Sequence, residues 1–225
     1  LALSKYNPSS EGDQPLRELV ARTTGRAIVL VPGQVEDDAS VRLGCAGIRT
    51  NSELLELVRA ARPEAFILYK PHPDVVSKNR RGALAGATVR LADHIETRAT
   101  LPACLAVCSE VHTLTSLVGF EALLRGLSVF TYGQPFYSSW GLTTDRVPVE
   151  RRTRRLELDE LVAGTLLRYP VYYSFRAEAF VTAEDIVFEL ERDRQQLRAL
   201  PAHAPRVLRQ AERLGRWLRE VLGAR

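Results

Sequence analysis

The 225-residue sequence contains no methionine and only three cysteines, Cys45, Cys104 and Cys108. An odd number of cysteines without a regular spacing argues against the disulfide framework of a small secreted domain and favours a reducing, cytoplasmic compartment. Cys104, Cys108 and His112 stand at intervals of four. Because the helix that carries the two cysteines is expected to end before His112, we predict no metal site.

Long apolar runs and strong charge of one sign are also absent. Without a signal-peptide pattern or a run long enough to cross a bilayer, any membrane association is expected to be peripheral. The chain begins at Leu1 without a methionine, so we expect a domain excised from a longer protein. The net charge of +4 suits an anionic substrate or membrane surface. Nucleic-acid binding is not expected, because the aromatic residues gather in one loop and are not interleaved with basic ones.

Apolar runs that alternate with helical patterns predict an α/β fold. Buried strands are predicted at residues 27–31 and 65–69, at Val111 and at residues 128–132. Strands that alternate with helices favour a Rossmann-like, doubly wound parallel sheet. In such a sheet the ligand crevice lies outside the carboxyl ends of the strands.

Helix signals follow these strands. Asn51 or Ser52 is predicted to cap a helix that ends before Pro63, and a helix that begins near Ser116 is predicted to end at Gly126. The later predicted elements are helices at about 101–107 and 156–168, an aromatic turn at 169–173, and helices at 183–199 and about 205–222. The last of these is basic and amphipathic and contains Trp217, a pattern that suits packing on the body or lying on a membrane surface. We predict a Rossmann-like domain over residues 1–180 and a C-terminal helical extension over residues 181–225.

The helix that begins near Ser116 is the strongest candidate for a ligand site. Its first N–H groups lack intrahelical partners, and the hydroxyls of Thr115 and Ser116 suit a phosphate. Glu121 lies further along this helix, where its carboxylate can accept both hydroxyls of a ribose. Gly119 and Gly126 are poor choices for helix stability alone. The alternative is an ordinary capped helix with Glu121 in solvent.

Two loops that follow the first strands also contain candidate site residues. Prolines on both sides of His72 stiffen the backbone, so its imidazole can be held toward a phosphate oxygen, and Lys70 adds positive potential. Glu36, Asp37 and Asp38 repel one another, so we expect at least one of them to be functional. A purely structural loop is the alternative in both places.

A loop at residues 132–143 is rich in glycine, proline and aromatic residues. Small residues allow close approach of the backbone to a ligand, and aromatic side chains such as Trp140 can form walls around a base or sugar. Core packing is the alternative for Trp140. The amide of Gln134 precedes a rigidifying proline and is a further candidate for a ligand contact.

Together these motifs resemble the bacterial capsule polysaccharide β-Kdo transferases of the KpsC/LipA type. The resemblance covers about residues 4–175 and rests on residues 32–40, 69–74, 111–126 and 132–145. It is most similar to the nucleotide-binding half of the C-terminal module of those two-module enzymes. The resemblance implies one half of a GT-B glycosyltransferase that retains configuration and transfers Kdo from CMP-Kdo to a lipid-linked acceptor. It further implies a cytoplasmic protein at the inner face of the inner membrane, without a cofactor.

Residue roles are implied by the same resemblance. The implied catalytic residues are Asp38, Gln34 and His72. The residues implied for donor binding are Lys70, His72, Thr113, Thr115, Ser116, Glu121, Gln134 and Trp140. The resemblance alone implies Asp38, rather than Glu36 or Asp37, as the nucleophile. This role agrees with the need of a double displacement for a carboxylate near the departing phosphate. Whether Arg151 and Arg152 hold the donor carboxylate or cover the surface stays open.

Two other functions stay open from the residues. A transferase or epimerase with another nucleotide-sugar donor would differ in its preference for the base. A non-catalytic nucleotide- or lipid-binding module would tolerate a change of Asp38 and fail when the basic C-terminal helix is changed. The family resemblance implies that the acceptor site and any acid/base residue lie in a second Rossmann-like domain outside this stretch.

Overall fold

A computed structural model of the chain describes residues 12–23, 25–77, 79–84 and 86–198. The chain divides into two compact units, with the boundary between Leu158 and Asp159. The predicted domain boundary at residue 180 stays a prediction. The predicted helix at residues 205–222, with Trp217, lies outside the described residues.

Six parallel strands form the sheet of the first unit. They are β1 Ile28–Pro32, β2 Phe66–Lys70, β3 His94–Ile95, β4 Glu110–Thr113, β5 Ser128–Thr131 and β6 Thr144–Asp145. Their order across the sheet is β3-β2-β1-β4-β5-β6, and every neighbouring pair is parallel. The order reverses between β1 and β4, which is typical of a doubly wound sheet with helices on both faces. The predicted Rossmann-like sheet is confirmed, and its ligand crevice is expected at this reversal.

The helices of the first unit are mostly short. They are α1 Asp13–Ala21, α2 Ala39–Gly44, α3 Asn51–Ala61, α4 Pro73–Val76, α5 Leu101–Val107 and α6 Leu117–Leu123, with a 3-10 turn at Thr88–Leu91. The predicted helices at 51–62 and 101–107 and the predicted start at Ser116 are confirmed. We did not predict α1, α2 or α4. The latter two have six and four residues, too few to show a helical period.

The N-cap of α3 differs from the prediction. Thr50 is the cap: its hydroxyl accepts a hydrogen bond from the Glu53 N–H at 3.2 Å, and the Glu53 carboxylate accepts one from the Thr50 N–H at 3.0 Å. This reciprocal capping box satisfies two helix-end donors at once. The prediction of Asn51 or Ser52 as the cap is therefore wrong, and the side chain of Asn51 is used elsewhere.

The main core lies between the central strands and α3. It contains Val29, Val31, Ile67, Tyr69, Leu54, Leu55 and Val58, all nearly inaccessible to solvent. Burial of each large apolar side chain contributes about 1.5–3 kcal/mol to folding. This packing holds the carboxyl ends of β1 and β2 in a defined position.

The second unit contains helical and hairpin elements. Helix α7, Leu158–Val162, runs into a π-helical stretch at Ala163–Arg168, and helix α8 spans Ala183–Arg198. Strands β7, Tyr172–Ser174, and β8, Ala179–Val181, form an antiparallel hairpin. The prediction of an aromatic turn at 169–173 is wrong in its second half, because Tyr173 pairs across the hairpin with Phe180. Within the described part of the chain, no helix is long and apolar enough to cross a bilayer.

His112 lies in β4, beyond the end of α5. Its two ring nitrogens are hydrogen-bonded to the Tyr132 hydroxyl at 3.0 Å and to the Glu110 carboxylate at 3.1 Å. Cys104 lies in α5, and Cys108 is the residue that follows its last turn. Over residues 12–198, as far as they are described, no three His, Cys, Asp or Glu side chains are grouped to hold a metal.

Helix α6 packs against the loop that follows β5. Tyr137 of that loop is fully buried, and its hydroxyl donates to the Ser116 carbonyl. A Cβ atom at Gly119 would overlap this phenol oxygen. Gly126 has a φ of +72°, which favours glycine. Packing at residue 119 and the backbone conformation at residue 126 thus explain why both are glycine. No comparable structural role explains Glu121.

We expect Gly119→Ala to lower the free energy of unfolding by about 1–3 kcal/mol, because the added methyl group overpacks the Tyr137 contact. This expected loss of stability is opposite to the effect of helix propensity, which favours alanine over glycine by about 1 kcal/mol. Urea unfolding would measure it. The control is Gly164→Ala, where nothing lies within 4 Å of an added Cβ and stability should hold or rise. Unchanged stability of Gly119→Ala would contradict the packing argument.

Candidate active site

The predicted site residues follow the carboxyl ends of four parallel strands. Gln34 and Asp38 follow β1, while Lys70 is the last residue of β2 and His72 follows it. Thr113 is the last residue of β4 and is followed by Thr115, Ser116 and Glu121. Gln134 and Trp140 follow β5. Because these strands are parallel, all four loops lie at one edge of the sheet. Two of them flank the reversal of strand order.

Gln34 joins the loops after β1 and β4. Its side chain is buried; Oε1 accepts from the Thr113 hydroxyl at 3.2 Å and the Thr115 N–H at 2.9 Å, and Nε2 donates to the Thr115 hydroxyl at 3.0 Å. Its backbone N–H and carbonyl are both bonded to the Asn51 side chain at 2.8 Å. Both the oxygen and the nitrogen of the side-chain amide are therefore hydrogen-bonded. They hold the two loops together across the reversal of strand order. Asn51 is the residue that we missed here, since its sequence position indicated only a helix cap.

Hydroxyl groups line the start of α6. Ser116 is the N-cap, and its Oγ accepts from the Val118 N–H at 3.2 Å. A hydroxyl that accepts one hydrogen bond retains its proton for donation. Thr115 also contacts the Ser40 hydroxyl of α2 at 3.4 Å, a neighbour that we did not predict. Thr113 is fully buried, so its hydroxyl serves the loop itself.

The three acids after β1 have different partners. Glu36 accepts a hydrogen bond from the Asn51 N–H at 2.8 Å, and Asp37 pairs with Arg80 at 3.0 Å. Asp38 is exposed and is the N-cap of α2, where its Oδ1 accepts a helix N–H at 2.8 Å. These contacts separate the three carboxylates and leave Asp38 at the surface of the crevice edge.

His72 and Lys70 differ in how their polar atoms are used. The Nδ1 atom of His72 accepts from the Asp74 N–H at 3.2 Å. In a neutral ring this contact places the proton on Nε2, so the other end of the imidazole is a donor. Lys70 donates from Nζ to the Ala99 carbonyl at 2.6 Å, which binds its ammonium to the loop after β3.

Glu121 has the most unusual environment in the site. Its side chain is only 15% exposed, and Oε2 is buried without a hydrogen-bond partner in the described part of the chain. Arg125 lies 4.0 Å from that oxygen. Burial raises the pKa of Glu121, and Arg125 offsets this only in part. A buried polar atom without a partner costs about 1–3 kcal/mol, so such an atom indicates strain or a functional role.

The loop after β5 holds its own polar side chains. Gln134 donates from its backbone to the Gly44 carbonyl at 2.7 Å and from Nε2 to the Pro148 carbonyl at 2.9 Å. The Trp140 indole donates to the Phe136 carbonyl at 2.8 Å. These bonds stabilise the loop as a wall beside the Thr115 turn.

Known proteins are similar to this chain in sequence and in fold. The family described as "Capsule polysaccharide biosynthesis protein" matches residues 10–173. The chain is 50% identical over 183 residues to capsule polysaccharide modification protein LipA of Neisseria meningitidis serogroup A, covering 81% of this chain and 25% of LipA. It is 44% identical over 176 residues to lipopolysaccharide-processing protein LpsZ of Rhizobium meliloti, covering 76% of this chain and 38% of LpsZ.

Two of the solved structures that are similar to this chain are of Thermosulfurimonas dismutans KpsC. The β-Kdo 2,7 transferase is 43% identical with a TM-score of 0.68, over 83% of this chain and 62% of that one. The β-Kdo 2,4 transferase is 28% identical with a TM-score of 0.65, over 83% of this chain and 64% of that one. The chain thus spans less than two thirds of each of these relatives. The family match covers well over half of the chain, which therefore belongs to the capsule polysaccharide biosynthesis protein family and is of the KpsC/LipA type, as its motifs indicated.

Proposed function

We propose that this chain is the donor-binding half of a retaining β-Kdo glycosyltransferase that takes Kdo from CMP-Kdo and transfers it to a lipid-linked acceptor. The observation that carries the proposal is the buried, unpartnered oxygen of Glu121 on α6, the helix whose start is lined with hydroxyl groups. The named Kdo transferases supply the donor class. Identity of 43% to the 2,7 transferase against 28% to the 2,4 transferase favours a 2,7 linkage.

The donor would lie across the reversal of strand order. Glu121 would accept the ribose hydroxyls, while Ser116, Thr115 and His72 would donate to the phosphate. Gln34 would hold the Thr115 turn in place. Lys70, Thr113, Gln134 and Trp140 stay predictions, and their hydrogen bonds within the protein favour a supporting role at the site walls.

The chemistry would be a double displacement at the anomeric carbon of Kdo. The Asp38 carboxylate attacks this carbon, the bond to the phosphate oxygen breaks, and CMP leaves with the electron pair. Donors at Ser116 and His72 stabilise the departing phosphate. An acceptor hydroxyl then displaces Asp38, and its proton passes to a base that we assign to the part of the relatives outside this chain.

The location follows from the same proposal. The three cysteines are unpaired and buried, and burial raises the pKa of Cys45 to about 11. Cysteines that form no disulfide suit a reducing compartment. We therefore place the reaction in the cytoplasm, at the inner face of the inner membrane, where a lipid-linked acceptor would be met.

We expect CMP, but not UMP or AMP, to stabilise the chain against heat, by about 2.7 kcal/mol at a hundred times the dissociation constant. Glu121→Gln should weaken CMP roughly tenfold, because a charge-assisted hydrogen bond becomes a neutral one. Calorimetric titration would measure both. The control, Glu64→Gln, removes the same charge just before the amino end of β2 and should bind as wild type. Stabilisation by no nucleotide would contradict the donor site.

Glu121 should also make stability depend on pH. Its pKa is raised in the folded state, so the folded chain resists ionisation and loses stability as pH rises above the ordinary glutamate value of about 4.3. The melting temperature of Glu121→Gln should equal that of wild type near pH 4 and be higher at pH 7. We expect a rise of about 2–4 °C for each 1 kcal/mol gained in the free energy of unfolding. Thermal melts across this range would measure it. A variant that is less stable at pH 7 would indicate a structural role for Glu121.

Asp38→Asn should preserve folding, because asparagine caps helices as well as aspartate. It should leave CMP affinity unchanged and slow CMP release from CMP-Kdo by at least about a thousandfold. Intact-mass spectrometry should find a Kdo adduct on wild type and none on this variant. Asp37→Asn is the matched control and should keep the adduct. Loss of the adduct from Asp37→Asn alone would move the nucleophile to Asp37.

A further inference from the structure

Arg152 lies after β6 and binds back onto the loop that follows β5. Its Nη1 atom donates to the Pro135 carbonyl at 2.7 Å, the Ser138 carbonyl at 2.8 Å and the Ser138 hydroxyl at 3.1 Å. Its guanidinium carbon lies 5.3 Å from the centroid of a Trp140 ring. The guanidinium is therefore held from two sides and has little freedom to reorient.

One edge of this guanidinium lacks a partner. Nε is buried and has no hydrogen-bond acceptor within the described residues, and the three hydrogen bonds given above are all donated by Nη1. Nε and Nη2 present adjacent N–H groups, the geometry that matches the two oxygens of a carboxylate. The loop thus fixes Arg152 through one nitrogen and leaves the carboxylate-binding edge unsatisfied.

No acidic side chain among the described residues contacts this guanidinium directly. Asp145 is the acid whose field acts on Arg152, but its carboxylate accepts hydrogen bonds from the Thr131 and Thr143 hydroxyls, both at 2.7 Å, and from the Ser139 N–H at 2.9 Å. Burial, followed by the neighbouring positive charge of Arg151, lowers the pKa of Arg152. A half-buried cation beside another cation is favourable only when an anion approaches it.

The position of this cation relates it to the donor site. The loop that Arg152 holds is packed against the start of α6 through the hydrogen bond from Tyr137 to the Ser116 carbonyl. The same loop is bonded to the end of α2 through Gln134 and the Gly44 carbonyl. Arg152 therefore lies against the same loop that packs on the start of α6 and borders the proposed phosphate site.

We propose that Arg152 binds the carboxylate of the donor sugar and makes the site selective for an acidic sugar over a neutral one. This inference rests on the proposed function. A 2-keto sugar acid carries its carboxylate on the anomeric carbon, adjacent to the phosphate ester oxygen. A cation beside the phosphate site would then engage the one anionic group that distinguishes such a donor from CMP itself.

The test is a series of affinities for cytidine, CMP and CMP-Kdo, measured by calorimetric titration on the full chain. Wild type should bind CMP-Kdo more tightly than CMP. Arg152→Gln and Arg152→Lys should keep CMP affinity within about twofold and lose at least about tenfold for CMP-Kdo, since a lysine lacks the paired N–H edge. The control, Arg155→Gln, removes a nearby arginine that lies against Gly141 and should bind all three ligands as wild type.

Other outcomes overturn the assignment in distinguishable ways. If the Arg152 variants lose as much affinity for CMP as for CMP-Kdo, Arg152 would be assigned to the phosphate. An equal loss for all three ligands, with a lower melting temperature, would make Arg152 a loop anchor only. Wild type that binds CMP-Kdo no better than CMP would refute the carboxylate contact without any variant. Wild type that binds neither would overturn the proposed function and this inference together.

Discussion

The hydrogen bonds of one buried amide, Gln34, underlie the geometry of the whole site. Parallel strands that diverge at a reversal of order leave a crevice, and its two sides come from chain segments about eighty residues apart; Gln34 and Thr115 are separated by 81 positions. The amide ties both sides while Asn51 fixes its backbone. The acidic loop that contains Asp38 and the hydroxyl groups of α6 are thereby held at a set distance from one another.

Besides the Tyr69 hydroxyl, two charged groups in this region have a buried atom without a hydrogen-bond partner among the described residues, and they have opposite charge. Glu121 presents a buried acceptor and Arg152 a buried donor, neither with a hydrogen-bond partner in the part of the chain described. A folded chain tolerates such groups at a cost in stability, and functional sites are where that cost is commonly found. A ligand with hydroxyls at one end and an anion at the other would satisfy both, which is the chemistry of a nucleotide linked to an acidic sugar.

In our proposal, a division of function between two halves of a transferase explains which groups this chain contains. It covers 62% and 64% of the two solved Kdo transferases, and its predicted residues concern the donor and the departing phosphate. Groups that activate an acceptor hydroxyl belong, in our proposal, to the remainder. Binding of the donor can then persist in this chain while transfer depends on both parts.

By itself, the sequence determined the features that local patterns encode. The apolar runs at 27–31 and 65–69 predicted β1 and β2, and the hydroxyl before residues 117–123 predicted the start of α6, because strand burial and helix capping are short-range effects. Tertiary structure decided the rest. A two-residue strand such as β3 is too short to show an alternating pattern in the sequence. Thr50 rather than Asn51 caps α3, because the Asn51 side chain is hydrogen-bonded to Gln34, which is 17 residues away in sequence. The roles of Gln34, Glu121 and Arg152 depend on contacts, or on missing contacts, with residues distant in sequence, which no local pattern contains.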